Sequence, residues 1–325
     1  MLAFTMQSFI DPAILFFVFG IVAGLLRSNL EIPAPISRFL SLYLLMALGL
    51  KGGFALAKSG LTGEVAVSLA SALLLATVVP LLGYMVLRRV VNGFDAAALA
   101  ATYGSVSAVT FITAVQHLDT HDISYGGHMA AAMALMESPA IILAVLLANW
   151  VRQRAPSASG PAVPLRRILH ESLTDGAQML LLGAMLIGLI AGESGEAVMK
   201  PFSVDLFKGM LAFFLLDMGL LAARNLGSLR GTSPWLLAYA IAGPLVHAGL
   251  ALGLGLLLGI SPGNTALLMV LAGSASYIAV PAVIRHAIPE ANASLYFGMS
   301  LGLTFPFNIL LGIPFYVFLA HRWSG

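Results

Sequence analysis

The sequence predicts an all-α integral membrane protein with ten transmembrane helices, arranged as a five-plus-five inverted repeat with discontinuous crossing helices. Of its 325 residues, 59% are hydrophobic and 9% charged, and the mean hydropathy is +0.96. A soluble domain is about half apolar and a quarter charged. Apolar stretches of about 20 residues, each long enough to cross a bilayer, follow one another along the chain. The second half also repeats motifs of the first half in the same order.

Hydropathy and helix-breaking residues divide the chain into two sets of five spans. The first set is predicted at 13–26, 37–57, 65–87, 96–117 and 126–150, and the second at 177–190, 206–223, 235–260, 264–284 and 295–320. A basic segment rich in Pro and Ser, 152–167, separates the first repeat (1–151) from the second (168–325), as a linker does. The first apolar segment lacks a basic leading region and an A-x-A cleavage site, so we expect it to be retained.

Arginine is concentrated in one set of alternate loops, whereas the other set has little beyond Lys58, Lys200 and Arg322. The arginines of the first set are Arg27, Arg38, Arg88, Arg89, Arg152, Arg154, Arg166, Arg167, Arg224, Arg230 and Arg285. By the positive-inside rule, the arginine-rich side is cytoplasmic. This orientation places both termini outside.

Four motifs recur at nearly constant spacing in the two halves. The matching positions are Asp11 and Asp175, Gly49 and Gly219, Gly104 and Gly273, and the Tyr-x-Gly motifs that begin at Tyr125 and Tyr296. Several nearly equal offsets in one order indicate an internal repeat. Because five spans is an odd number, the second half must enter the membrane from the opposite side. Inverted repeats are typical of secondary transporters, which bind substrate near the midplane between discontinuous helices.

Two segments rich in glycine and serine lie at equivalent places in the fourth span of each half: GSVSAVTFIT from Gly104 and GSASYIAVP from Gly273. Their weak hydrophobicity, and Pro281 at the end of the second, predict helices that are broken within the membrane. Free N–H groups and the positive dipole end of a broken helix can hold an anion, and hydroxyl oxygens can bind a hard cation such as Na⁺. Close helix packing by small residues is the alternative, but the duplication favours a binding site.

The predicted substrate-binding residues are Gly104, Ser105, Val106, Ser107, Gly273, Ser274, Ala275 and Ser276, and the predicted ion-coupling residues are Ser107, Thr110, Glu137, Ser276 and Tyr277. Glu137 is included because an acid in the middle of a span is costly unless it has a partner or a function. Bracing the helix break at Pro139 is its structural alternative. We expect no metal site, since the remaining acids lack the spacing typical of metal ligands.

Other polar residues in the spans are expected to be structural. Lys51 and Asp217 occupy the second and seventh spans, which are equivalent in the repeat, and neither has a partner of opposite charge in its own helix. We therefore predict an ion pair between them. His117, His247 and His286 are expected to be hydrogen-bonded structural residues, and a proton role stays open because imidazole titrates near neutral pH.

Five stretches carry a family resemblance that extends over nearly the whole chain. They are EIPAPISRFLSLYLLMALGLKGG from Glu31, the Gly104 segment, LMESPAIILAVLLAN from Leu135, GPLVHAG from Gly243 and GSASYIAVPAVIRHAIPEANASLYFG from Gly273. Together they resemble the sodium-dependent bicarbonate transporter family of cyanobacteria. The resemblance implies ten helices with outside termini, a homotrimer and sodium-coupled bicarbonate uptake across a bacterial inner (plasma) membrane. It also implies that a soluble PII-like trimer docks on the cytoplasmic face.

The resemblance further implies that the fourth and ninth helices carry substrate and ion. Gly104, Ser107 and Thr110 match the family's first signature segment, Ser274, Ser276 and Pro281 match the second, and Glu137 matches an acid of the corresponding motif. The second segment departs from the family's serine-rich run, because Tyr277 stands where the family has an acid and alanines replace two of its serines. Coupling to sodium or to protons therefore stays open.

We expect a secondary active transporter that imports a small inorganic anion by sodium symport with alternating access. Bicarbonate is the expected substrate. A proton-coupled or organic-anion carrier and a non-transporting anion receptor are the alternatives. The absence of cysteine excludes thiolate chemistry, and a net charge of +2 does not indicate a nucleic-acid partner. An intramembrane serine protease is disfavoured, because catalysis needs one nucleophile and the serine segment is duplicated. We expect no enzymatic activity and no cofactor beyond a coupling ion.

Overall fold

The computed structural model describes residues 11–154, 170 and 174–324, and these residues form helices without a strand. In the first half, the helices are α1 (Pro12–Leu25), α2 (Ala34–Ser59), α3 (Gly63–Leu87), α4 (Gly93–Gly104), α5 (Ala108–Thr120) and α6 (Met129–Arg154). In the second half, they are α7 (Gly176–Lys200), α8 (Phe207–Asn225), α9 (Pro234–Leu258), α10 (Pro262–Ala272), α11 (Ala279–Ala287) and α12 (Ala293–Trp323). Helix α6 continues into the predicted linker, and residues 155–167 of that linker lie outside the described residues.

Seven helical stretches of the described chain are long and apolar enough to cross a membrane. Five of them are α2, α3, α6, α9 and α12; the other two are Gly93–Thr120, which contains α4 and α5, and Gly176–Leu229, which contains α7 and α8. Helix α1, with 14 residues, rises about 21 Å, less than the roughly 30 Å of a hydrocarbon core, and α10 is also short. The chain is a multi-pass membrane protein, and its described residues form fewer long separate helices than the ten predicted spans.

Helices α1 and α7, the first of each half, begin in the same way. Asp11 Oδ1 accepts a hydrogen bond from the Ala13 N–H at 2.8 Å, and Asp175 Oδ1 accepts one from the Ala177 N–H at 3.0 Å. A side-chain oxygen at this position satisfies a backbone donor that has no partner within the helix. The equivalent aspartates found in the sequence are therefore equivalent caps.

Glycines allow two close helix contacts, each of which joins one helix from each half. Helix α1 packs against α8, where a Cβ added at Gly20 would lie 3.1 Å from the Gly219 Cα. Helix α2 packs against α7, where a Cβ added at Gly53 would lie 2.9 Å from the Gly188 Cα. Small residues at such contacts let membrane helices approach closely. The first helix of each half thus packs against the second helix of the other half.

The starts of α1 and α7 lie at opposite ends of the helix bundle. The start of α1 is beside the start of α8, since Lys208 Nζ lies 2.9 Å from Asp11 Oδ2. The start of α2 is beside the later part of α8, since Ser37 Oγ donates to Asp217 Oδ2 at 2.5 Å. Helix α7 runs parallel to α2, because Gly49 packs near Leu181 and Gly53 near Gly188. We call the end at which α1 begins the α1 end and the other the α7 end.

Two matching hydrogen bonds connect the broken helices to the opposite half. Near the start of α4, Asp95 Oδ1 accepts from the Asn292 N–H at 2.7 Å, just before α12. Near the start of α10, Asn264 Oδ1 accepts from the Gly126 N–H at 2.7 Å, just before α6. Asp95 and Asn264 have the same separation in sequence as Gly104 and Gly273. Each half therefore fixes the start of the other half's last helix.

The predicted ion pair between Lys51 and Asp217 is wrong. Lys51 Nζ lies 2.6 Å from Asp119 Oδ2, whereas Asp217 accepts a hydrogen bond from Ser37. Ser37 and Lys51 both belong to α2, where their spacing of about four turns separates them by about 21 Å along the helix axis. Matching positions in the two halves do not bring the two charges together. Asp217 of α8 lies beside the start of α2, whereas Lys51 lies in the later part of α2.

Candidate functional site: the meeting point of two broken helices

The first glycine-serine segment is a helix break, as predicted. Helix α4 ends at Gly104 and α5 begins at Ala108. Gly104 lies against Pro80, where an added Cβ would be 2.5 Å from the proline Cβ. Ser107 caps α5, since its Oγ accepts from the Thr110 N–H at 3.2 Å and lies 2.9 Å from the Thr110 Oγ1. Glycine permits the close approach to Pro80, and serine begins the new helix.

The second segment is a longer break, again as predicted. Helix α10 ends at Ala272 and α11 begins at Ala279. The Gly273 carbonyl accepts a hydrogen bond from Asn308 Nδ2 at 2.8 Å, and Ser276 Oγ accepts from the Val280 N–H at 3.3 Å. These bonds satisfy part of the backbone that the break frees in the interior.

The two breaks contact each other directly. The Ser276 N–H donates to the Thr102 carbonyl at 2.8 Å, and the Ser107 N–H donates to Ser274 Oγ at 3.0 Å. Ser107 and Ser274 are both buried. Equivalent segments from the two halves of the chain therefore meet in one place inside the bundle.

A cavity of about 70 Å³ adjoins this contact. The predicted residues that line it are Val106, Ser107, Glu137, Ser276 and Tyr277. Its other polar side chains are Ser41 and Gln178. A cavity of this volume holds a few water molecules or a small ion. We call it the crossing cavity; it adjoins the start of α7 and so lies toward the α7 end.

Glu137 is the acid of the crossing cavity. Its Oε2 accepts a hydrogen bond from Gln178 Nε2 at 2.6 Å, and no lysine or arginine of the described residues forms an ion pair with it. The carboxylate therefore has one neutral donor and no counterion within the described structure. Gln178 is not among the predicted site residues, although a polar residue in the first turn of an apolar helix, just after the Asp175 cap, is a signal in the sequence.

The remaining predicted site residues do not line the crossing cavity. Ser274 and Thr110 support it through their hydrogen bonds to Ser107. The others lie in the breaks but are absent from the lining of the cavity: Gly104, Ser105, Gly273 and Ala275. The breaks therefore supply both the wall of the cavity and the hydrogen bonds that hold this wall in place.

A second cavity, of about 440 Å³, lies at the α1 end. Its polar lining consists of Asp11, Thr113, Gln116, His117, Thr120, His121 and Lys208. The rings of His117 and His121 lie with their centroids 4.3 Å apart and their planes tilted by 39°. Of the other predicted histidines, His247 is buried on α9 and His286 lies in the last turn of α11. We call this second cavity the α1-end cavity.

The two cavities are built from equivalent elements of the two halves. Ala13 and Leu211 line the α1-end cavity, and Ala177 and Ser41, which occupy the matching sequence positions of the other half, line the crossing cavity. Ala13 and Ala177 each follow one of the two equivalent aspartate caps by two positions. Each cavity thus includes the start of the first helix of one half and part of the second helix of the other half.

This fold and site define a multi-pass membrane protein in which two broken helices meet at a small cavity that contains hydroxyl, amide and carboxylate groups. Secondary transporters hold a substrate in such an arrangement. The family model of the Na⁺-dependent bicarbonate transporter superfamily matches residues 12–321. The chain belongs to this superfamily of transporters. The comparison with curated proteins finds no match.

Proposed function

We propose that the protein imports bicarbonate by sodium symport, with alternating access to one site between the two helix breaks of a ten-helix inverted repeat. The observation that carries the proposal is the contact between the breaks beside the crossing cavity. A second cavity of equivalent elements at the other end supports alternation. In such a repeat, exchange of the two halves' conformations would close one cavity and open the other.

The crossing cavity is suited to a small inorganic anion. The hydroxyls of Ser107 and Ser276 and the amide of Gln178 provide hydrogen-bond donors without a full positive charge. Its volume of about 70 Å³ suits a small planar anion of four heavy atoms. Bicarbonate is the substrate that both this size and the superfamily favour.

Glu137 is the proposed coupling residue. A carboxylate with neighbouring hydroxyl oxygens is a ligand set that suits Na⁺, and Ser107 and Ser276 line the same cavity. The same carboxylate, which has no basic partner among the described residues, could instead take up a coupled proton. Proton coupling is therefore the second candidate, and Tyr277, which replaces the family's acid, favours it.

Membrane orientation and assembly belong to the same proposal. The distribution of arginine favours a cytoplasmic α7 end, with both termini outside a bacterial inner membrane. A homotrimer and a PII-like cytoplasmic regulator are proposed from the family resemblance. We propose transport without enzymatic catalysis, because duplicated serine segments suit a two-sided site.

Uptake of labelled bicarbonate into proteoliposomes tests the proposal, with sodium and proton gradients imposed separately. We expect an inward sodium gradient to drive accumulation above equilibrium. Accumulation with a proton gradient alone would favour the second candidate. Saturable binding without uptake under either gradient would indicate a receptor and contradict the proposal.

A further inference from the structure

We propose that Arg38 and Lys208 are a matched pair of anion-capture residues, one at each mouth of the transport pathway. The inference rests on the proposed anion transport and goes beyond it, because it assigns an encounter site outside the crossing cavity on each side. The ligand class at both mouths is a small inorganic oxyanion. Neither residue lines the crossing cavity itself.

Lys208 is the basic residue of the α1-end cavity. Its side chain is 41% exposed, and its Nζ lies 2.9 Å from Asp11 Oδ2. Gln116 and Thr113 line the same cavity and can donate hydrogen bonds. Because ammonium, amide and hydroxyl donors share a cavity of about 440 Å³, an anion that enters meets several donors there.

Arg38 has the corresponding position at the α7 end. It lines an open cavity of about 690 Å³, which shares Ser41 and Tyr277 with the crossing cavity. Arg38 is exposed, and no acid of the described residues forms an ion pair with it. Its guanidinium can bind the two oxygens of a planar oxyanion together. An anion that leaves the crossing cavity past Tyr277 therefore meets Arg38.

The two basic residues are equivalent in the repeat. Arg38 and Lys208 have the same separation in sequence as Gly49 and Gly219. Each lies near the start of the second helix of its half, on α2 and α8 respectively. A positive charge at the mouth of a cavity with low-dielectric walls raises the local concentration of anions. The repeat thus provides one such charge for each side of the membrane.

The mouths differ in one respect that makes the proposal testable. Asp11 offsets part of the charge of Lys208, whereas Arg38 has no such partner within the described structure. Asp11 caps α1 with Oδ1 and pairs with Lys208 through Oδ2. Asp11→Asn would keep the cap and remove the charge, which leaves Lys208 free to attract the anion.

The test is the KM for bicarbonate, measured separately for each face in oriented proteoliposomes. We expect Lys208→Gln to raise the KM at the α1-end face roughly three- to fivefold, as one unit charge at close range in water would, with little change in kcat. Arg38→Gln should do the same at the α7-end face only. Asp11→Asn should lower the KM at the α1-end face. The shifts should shrink at high ionic strength, because salt screens exposed charges.

Two control variants separate capture from other effects. Lys208→Arg keeps the charge and should therefore keep the wild-type KM. If the KM depended on packing at this position and not on charge, Lys208→Arg would raise it as well. Lys58→Gln removes an exposed lysine that pairs with Glu196 and should leave the KM unchanged. Equal KM values for wild type, Lys208→Gln and Arg38→Gln on both faces would overturn the inference. If the wild type does not transport bicarbonate, the proposed function fails. In that case, bicarbonate affinities of purified Lys208→Gln and Arg38→Gln that equal the wild-type affinity would separately overturn this inference.

Discussion

Replacing Glu137 by glutamine isolates the charge at the crossing cavity. Glutamine has the same shape, and its side chain can still bond to Gln178, which now lies 2.6 Å from the carboxylate. The change removes the negative charge that we propose attracts the coupling cation. At about 4 Å and an effective dielectric constant of about 20, that attraction is about 4 kcal/mol. This corresponds to a loss of roughly a thousandfold in ion affinity.

The effect on folding should be small by comparison. The hydrogen bond from Gln178 no longer reaches a charged group, which costs at most about 2 kcal/mol. Removing a charge that has no ion pair within the described structure offsets this cost. We therefore expect Glu137→Gln to unfold within a few degrees of the wild type in detergent. Its gradient-driven uptake in proteoliposomes should fall to the level of empty vesicles.

Two matched variants make the result specific. Glu137→Asp keeps the charge and should retain part of the uptake, while Glu196→Gln removes an exposed acid near the α1 end and should retain all of it. Normal concentrative uptake by Glu137→Gln would refute the coupling role. Lost uptake together with a large drop in unfolding temperature would show instead that Glu137 supports the fold.

Two further predictions concern ion pairs outside the site. Arg152 donates to both carboxylate oxygens of Glu290 at 2.7 Å, and these bonds lower the pKa of Glu290. Glu290→Gln should cost about 2 kcal/mol of unfolding free energy at pH 7, and the difference should fade as the pH drops through the lowered pKa. Thermal unfolding measured over a range of pH tests this, and a stability difference between variant and wild type that grows on acidification would contradict it. The double variant Lys51→Gln with Asp119→Asn should show a coupling of about 0.5–1 kcal/mol, and an equal coupling of Lys51 with Asp217 would count against the observed pairing.

The helix breaks could be predicted because their causes are local. Gly104, Ser107 and Pro281 each affect the backbone of their own segment, through close approach, capping or a missing N–H. The composition of each segment therefore indicates directly that its helix is interrupted. The equivalent caps at Asp11 and Asp175 are predictable for the same reason.

The partners of buried polar groups could not be predicted in this way. Gln178 reaches Glu137 from 41 residues away, and Lys51 pairs with Asp119 across 68 residues. Both contacts depend on how α7 and α5 pack against their neighbours. The matching sequence positions suggest Asp217 as the partner of Lys51. Asp217 instead lies beside Ser37, about four turns along α2 from Lys51.

Which residues line the cavity also depends on packing. Ser105 and Ala275 belong to the predicted signature segments, yet they do not line the crossing cavity. Ser41 of α2 does line it, although α2 shows no break and no unusual composition at that point. The sequence thus predicts where the helices are interrupted, while helix packing determines which side chains face the cavity.

Alternating access means that one site is reached in turn from the two ends of the bundle. The chain contains no cysteine, so single cysteines can report access without a prior substitution. Ala13 lines the α1-end cavity, and Ala177, its equivalent in the repeat, lines the crossing cavity. Ala13→Cys and Ala177→Cys therefore form a matched pair of reporters.

The most direct measurement is the rate at which a membrane-impermeant thiol reagent labels each reporter from its own side, with and without sodium and bicarbonate. We predict that any condition that speeds labelling of Ala13→Cys slows labelling of Ala177→Cys. Fast labelling of both reporters under the same condition, or rates that change independently, would contradict alternating access.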